Sequence, residues 1–599
     1  MGNKKLKTRE EIDKKYKWDI EKMYSSTDEW EKDFQEVKEL TEDFTSYSGT
    51  FTDSAEELLR SLKDADKIGL KAEKLYVFSK MKLDEDNTKS TYQEMHGRIV
   101  GLLAEAGSKM SFYTPELLAE PEEKIMGFID ENPDLELYRF ALKDTLKGKK
   151  HVLTKKEEAL LAKLSEVTGS SENLFSMLNN ADMKFGTITD QDGDDLQVTH
   201  GNFISLMENH NRQVRKDAFT AVYETYKGHI NTLSALYNTN VKNDVISAEI
   251  RNYENSRQRA LEPDEIPETV YDNLIDVVHQ YLPVLHDYLN LRKDILGYDE
   301  LKMYDVYVPL VKVPEKEIPF EEAVKMMKQA LAPLGQDYLD IVGRGIDERW
   351  IDVCENKGKT SGAYSFGSYD SYPYILLNYS GRLQDVLTLV HEMGHSMHSY
   401  YTRANQPYTY GNYSIFVAEV ASTVNECLLL HHLLENEDDR DMKRFLLNRF
   451  IEEFRATVFR QTMFAEFELN AHRMVEEGGS LTAQWLSEEY DRLNTLYFGD
   501  AITHDDLIQY EWSRIPHFYS SYYVYQYATS FSAATAISQK ILDEGDTAVD
   551  DYKKFLSAGS SQYPVEELKM VGVNMTQKEP LIKAMEMFKS LVEEFRQLS

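Results

Sequence analysis

Cysteine is almost absent: Cys354 and Cys427 are the only two in 599 residues. Two thiols cannot form a disulfide framework, so the chain is expected to be held by core packing in a reducing, cytoplasmic compartment. Positive charge is scarce as well, with 68 Lys and Arg against 103 Asp and Glu and a formal charge of −35 spread along the chain. Such a field excludes nucleic acid and anionic membrane surfaces as expected partners and reads as a solvated acidic surface. No run of about 18 apolar residues occurs, so no membrane span is expected. The opening MGNKKLKTREEI has lysines but no apolar stretch behind them, unlike a secretory leader. Leu6 stands where a myristoylation signal wants Ser or Thr. Internal repeats and low-complexity linkers are missing too.

What remains is ample for a packed, mainly α-helical protein. Hydrophobic residues make up 42% of the chain and aromatics 12%, enough to exclude a mainly disordered chain. Residues 1–180 read as a lobe of successive amphipathic helices. DSAEELLRSLKDADKIG, for example, has Asp53 as cap candidate and Leu58, Leu59 and Leu62 at helical spacing. Residues 181–202 break that period. Phe185, Thr187 and Thr189 alternate into Asp192-Gly193, and Leu196 and Val198 alternate out, which predicts a β-hairpin connection. Residues 203–599 form the third region, helical again except for GKTSGAYSFGSYDSYPYILLNYSG. There Ile375, Leu376 and Leu377 predict a buried or edge strand.

That strand leads into LQDVLTLVHEMGHSMHSYYT. His391 and His395, four apart on a helix, project from one face with Cα atoms about 6 Å apart, so both imidazoles can meet one cation. Glu392 points to a neighbouring part of the surface, where it could touch a metal-activated water. This is the HExxH arrangement of zinc peptidases, with the glutamate as general base. The pattern arises by chance too often to decide anything alone. A third ligand is needed beside an open position. His398 is a poor candidate, because its Cα lies about 10.5 Å along the axis from that of His391.

Downstream, YGNYSIFVAEVASTVNECLLLHHLLENE carries an apolar stripe of Phe416, Val417, Val420, Val424 and Leu428. A polar stripe of Glu419, Ser422 and Glu426 faces away from most of it. Placed against the HEMGH helix, Glu419 could supply an oxygen to the metal. Glu426 and Asn425 could accept from an imidazole N–H in an outer shell. Standing alone, the same glutamates would read as solvated helix residues. Further on, PHFYSSYYVYQY places His517 among five tyrosines, which suits either an aromatic core or donors for an oxyanion.

Together HEMGHSMH, FVAEVAST, GKTSGAY, PYILLNYSG and HFYSSYYVYQYAT resemble the thimet oligopeptidase class of zinc peptidases, in its bacterial oligoendopeptidase F branch. The motifs span about residues 180 to 540. The resemblance implies that His391, His395 and Glu419 ligate one Zn2+ per chain and that Glu392 is the base. It matches His517 and a tyrosine, Tyr522 or Tyr525, to the transition-state donors, and places Gly362 and Ala363 along the substrate backbone. It also implies a two-lobed helical zincin-type shell with a deep central channel and a small β-sheet near the site.

The expected activity is hydrolysis of internal bonds in short oligopeptides. The alternatives are an exopeptidase of the dipeptidyl carboxypeptidase kind and a non-catalytic peptide-binding protein. The oligomeric state, monomer included, is left open.

Overall fold

A computed structural model describes residues 6–311 and 317–599. Met1 to Lys5, the first residues of the lysine-bearing start on which the leader and acylation readings bear, lie outside them. The chain is mainly helical. In chain order, the elements that bear on function begin with helix α1 (Ala55–Glu85), the strands β1 (Thr187–Thr189) and β2 (Asp195–Gln197), and the helices α2 (Ile230–Ile250) and α3 (Glu268–Leu296). Strands β3 (Ile351–Asp352), β4 (Tyr364–Phe366) and β5 (Tyr374–Leu376) follow. Helices α4 (Leu383–Asn405), α5 (Ile415–Asn436), α6 (Arg460–Glu476) and α7 (Tyr525–Glu544) complete the set. Among the described residues no helix is long and apolar enough to cross a membrane.

Local chemistry explains the boundaries. Helix α1 is capped by Ser54, whose hydroxyl accepts from the Glu57 N–H, rather than by Asp53. Its Leu58 and Leu59 are buried, as their spacing predicts. The hairpin forms where the alternation predicted it, antiparallel with Ile188 opposite Leu196. Its turn is closed by the Asp190 carboxylate, which accepts from the N–H groups of Asp192 and Asp194 at 2.8 and 2.9 Å.

The residues form two compact units. The first comprises Met1–Val152, Lys316–His432 and Ile537–Val573; the second comprises Leu153–Glu315, Leu433–Ala536 and Asn574–Ser599. In the first, the sheet runs β3-β5-β4, with β3 parallel and β4 antiparallel to β5. The Ile375 strand is therefore the central, fully buried one, and β4 is a half-buried edge. Lys359 ties the sheet together from below. Its buried ammonium pairs with the Asp352 carboxylate at 2.7 Å and donates to the carbonyls of Cys354 and Leu377. The charge is thus taken out of water with every donor direction engaged, which is what makes a buried lysine tolerable.

Helix α4 follows β5 directly. Val386, Leu389, Val390, Met393 and Met397 form its fully buried face. Val417, Val420, Ala421 and Val424 do the same for α5. Each of these valine, leucine and methionine side chains contributes about 1.5–3 kcal/mol of burial, so the polar faces of both helices are set by where the apolar ones must go.

Candidate metal centre and the residues around it

The closeness of α4 to α5 begins at Gly394. A Cβ there would lie 2.5 Å from the Cα of Ser422 and 2.6 Å from the carbonyl oxygen of Ala421, so only glycine allows the two backbones to touch. Asn425, fully buried, adds a hydrogen bond from its amide to the Val390 carbonyl of α4 at 3.4 Å and accepts from the Tyr338 hydroxyl at 3.3 Å. Asn425 therefore fastens one helix to the other, whereas an imidazole contact had been expected of it.

With the helices in that register, three donor atoms converge. Nε2 of His391 and Nε2 of His395 are 3.2 Å apart, and Oε2 of Glu419 is 3.4 Å from each. This is the set of residues able to hold a metal among those described. Four ligands placed tetrahedrally at 2.0–2.1 Å around zinc are about 3.3–3.4 Å from one another. Two imidazoles and a carboxylate on a triangle of that size fit the borderline-soft ion well, and they leave the fourth corner open. Ser422 orients the carboxylate by donating to Glu419 Oε2 at 3.0 Å.

The electrostatics follow from the same contacts. Burial disfavours the Glu419 anion, but the two histidines outweigh that and hold its pKa down to about 2. Burial likewise disfavours a His391 cation, yet Glu426, Glu392 and Glu419 raise its pKa to about 9. Glu426 Oε2 stands 3.4 Å from His391 Nδ1, on the far side of the ring from the donor triangle. Glu392 is only 7% exposed, and burial pushes its carboxyl above the ordinary range.

His398 belongs to the core. Its ring stacks on Tyr413 at 3.7 Å and 3°, and burial drives its pKa down to about 3. Ser396, beside His395, bonds Ser365 of β4 through their hydroxyls at 2.8 Å, so the edge strand is fixed directly to the metal-site helix. Just before that strand, Gly362 is exposed with φ of +83° and open space where a side chain would project. Its carbonyl accepts from the Asn378 amide at 2.8 Å, and Ala363 leads into β4.

His517, Tyr522 and Tyr525 belong to the second unit. His517 is exposed. Tyr522 and Tyr525 are 3% and 1% exposed, with the Tyr522 hydroxyl bonded to Ser256 at 3.0 Å and the Tyr525 ring packed on Tyr271. The half-exposed rings beside His517 are instead Tyr523, stacked on it at 6.1 Å, and Tyr527, whose hydroxyl lies 3.5 Å from His517 Nε2. Neither was singled out from the sequence. The signal that separates them from their neighbours is a backbone reversal at Tyr522, where φ is +59°.

Residues 205–587 match the profile of Peptidase family M3, and residues 116–185 match that of Oligopeptidase F. Oligopeptidase PepF of Bacillus subtilis is 48% identical over 593 residues, which is 99% of this chain and 88% of that protein. The chromosomal oligoendopeptidase F of Lactococcus lactis subsp. cremoris is 42% identical, over 99% of each chain. The crystal structure of oligoendopeptidase-F from Enterococcus faecium superposes with a TM-score of 0.76 at 36% identity, covering 96% of this chain and 99% of that one. With a family profile matched over more than half its length and relatives this similar over nearly all of it, the chain belongs to peptidase family M3, among the oligoendopeptidases F.

Proposed function

We propose that this protein is a zinc-dependent endopeptidase that hydrolyses internal bonds of short oligopeptides, with one Zn2+ per chain and a cytoplasmic setting. The observation that carries it is the triangle of His391, His395 and Glu419 donor atoms with edges of 3.2–3.4 Å. The setting rests on the two cysteines, which form no disulfide.

His391, His395 and Glu419 would hold the ion, with Glu426 fixing the His391 ring through Nδ1. When bound, zinc supplies Lewis acidity, which acidifies water and polarises a carbonyl. Glu392 does the proton work. Its carboxylate takes a proton from the attacking water and hands it to the leaving nitrogen. The free edge of β4 offers main-chain groups to an extended peptide, and the bare Gly362-Ala363 stretch lets that backbone pass. Donors to the developing oxyanion were expected from His517 with Tyr522 or Tyr525. Of the YYVYQY stretch, the Tyr523 and Tyr527 side chains beside His517 are the half-exposed tyrosines, so the donor role is proposed for their hydroxyls together with His517.

A quenched oligopeptide blocked at both ends, assayed with and without a chelator and then with zinc added back, tests the reading. Loss under chelation and recovery with zinc are expected. Cleavage that ignores the chelator would reject the metal. Activity confined to peptides with a free end would assign an exopeptidase.

A further inference from the structure

In the second unit, Glu468 of α6 is fully buried and serves no step above. Its Oε1 accepts from the backbone N–H of Tyr522 at 2.7 Å. Tyr522 is one of four non-glycine residues with positive φ among those described, and a left-handed backbone at a bulky aromatic residue persists only where neighbours enforce it. The enforcing contacts come from three elements. Glu468 holds the Tyr522 N–H. The Tyr522 hydroxyl meets Ser256, which is itself fixed by Glu476 of α6 through its N–H and hydroxyl at 2.8 and 2.6 Å. The neighbouring Ser521 hydroxyl donates to Asp244 of α2 at 2.5 Å. His472, one turn after Glu468, lies under the Tyr522 ring at 4.7 Å.

This reversal separates the short turn Pro516–Tyr519, which carries His517, from α7, which carries Tyr527. It is therefore what sends the Tyr522 side chain inward and leaves Tyr523 and Tyr527 flanking His517.

We propose that Glu468 is a positioning residue for the His517–Tyr523–Tyr527 group, acting through the Tyr522 backbone N–H that it anchors. The inference rests on the donor role given to that group above. Burial pushes the Glu468 carboxyl up to about 8, so near neutral pH it accepts as an uncharged acid, and glutamine can replace it with the accepting oxygen kept. Leucine fills the volume and removes the acceptor, which leaves the Tyr522 N–H without its partner.

The test uses full-length, zinc-loaded enzyme and the doubly blocked peptide, with kcat and KM measured separately and zinc content and melting temperature followed. Glu468→Gln is expected to keep kcat within about threefold of the parent. Glu468→Leu is expected to lower kcat by roughly tenfold or more at unchanged KM and zinc content. In a background of His517→Ala with Tyr523→Phe and Tyr527→Phe, Glu468→Leu should cost kcat nothing further, because the group it positions is gone. An undiminished kcat in Glu468→Leu, or a full additive loss in the background lacking all three donors, overturns the proposal. So does a Glu468→Gln variant that loses as much as Glu468→Leu. If the background with His517→Ala, Tyr523→Phe and Tyr527→Phe itself leaves kcat unchanged, it is the donor role that fails, whatever the Glu468 variants do.

Discussion

Gly394 of α4 and Ser422 of α5 meet backbone to backbone, with no room for even a methyl group between them. That contact sets the distance from the two histidines on one helix to Glu419 on the other. Replacing Gly394 by Ala forces the helices apart, because the atoms it would strike are main chain and cannot swing aside. Gly394→Ala is expected to weaken zinc binding by at least about tenfold, read by competition with a chromophoric chelator. Activity should return in part at saturating zinc.

Glu392 and Glu419 are both glutamates beside the same histidines, and their variants separate their roles. Glu392→Gln removes the proton acceptor from a buried, nearly isosteric side chain, so zinc content should be unchanged. Its kcat should fall by roughly 10²–10⁴-fold. Glu419→Ala removes one of three donors and should lose the metal itself, which elemental analysis of the purified proteins reports. A Glu392→Gln enzyme that turns over normally would remove Glu392 as the base.

Glu426 Oε2 pairs with His391 Nδ1 at 3.4 Å, on the side away from the donor triangle. An outer partner of this kind fixes the tautomer and strengthens the ligand. Glu426→Ala is expected to weaken zinc affinity by about 10–100-fold and leave kcat at saturating zinc close to the parent value. A loss of kcat that zinc does not restore would mean that Glu426 does more than orient the ring.

The placement of His391, Glu392 and His395 is legible in the sequence because a single helix dictates it. On α5 the same logic puts Glu419 and Glu426 on one polar face, and it was the family resemblance that singled out Glu419 as the third ligand. Asn425 could not be assigned that way. Next to that stripe in sequence, it turns into the contact between helices, and only the packing shows that its partner is the Val390 carbonyl. The β3-β5-β4 order was out of reach because strands of two or three residues carry too little alternation to mark an edge. In YYVYQY the obstacle is the left-handed Tyr522, which has no composition signature and shifts the phase of every residue after it. Glu468, in FAEFELNAH, reads as an ordinary helix glutamate until its partner on a distant loop is seen.

Burying Glu468 also makes stability depend on pH. Burial is the main cause of its raised pKa; His472 and the Tyr522 N–H pull it down and Asp244 pushes it up, and the net value is about 8 against an ordinary 4.5. The side chains of Tyr237 and Tyr271 face the same pocket. Between these two pKa values the folded state binds the proton more tightly than the unfolded state does. Stability from this group is therefore complete below about pH 4.5 and is lost as pH rises towards about 8. Glutamine at 468 keeps the hydrogen bond and cannot ionise. Thermal melts of the parent and Glu468→Gln should nearly coincide at about pH 5. The variant should gain on the parent as pH rises, and the gap should level off above about pH 8. A gap that is constant across this range would show that Glu468 is already ionised in the folded protein at pH 5.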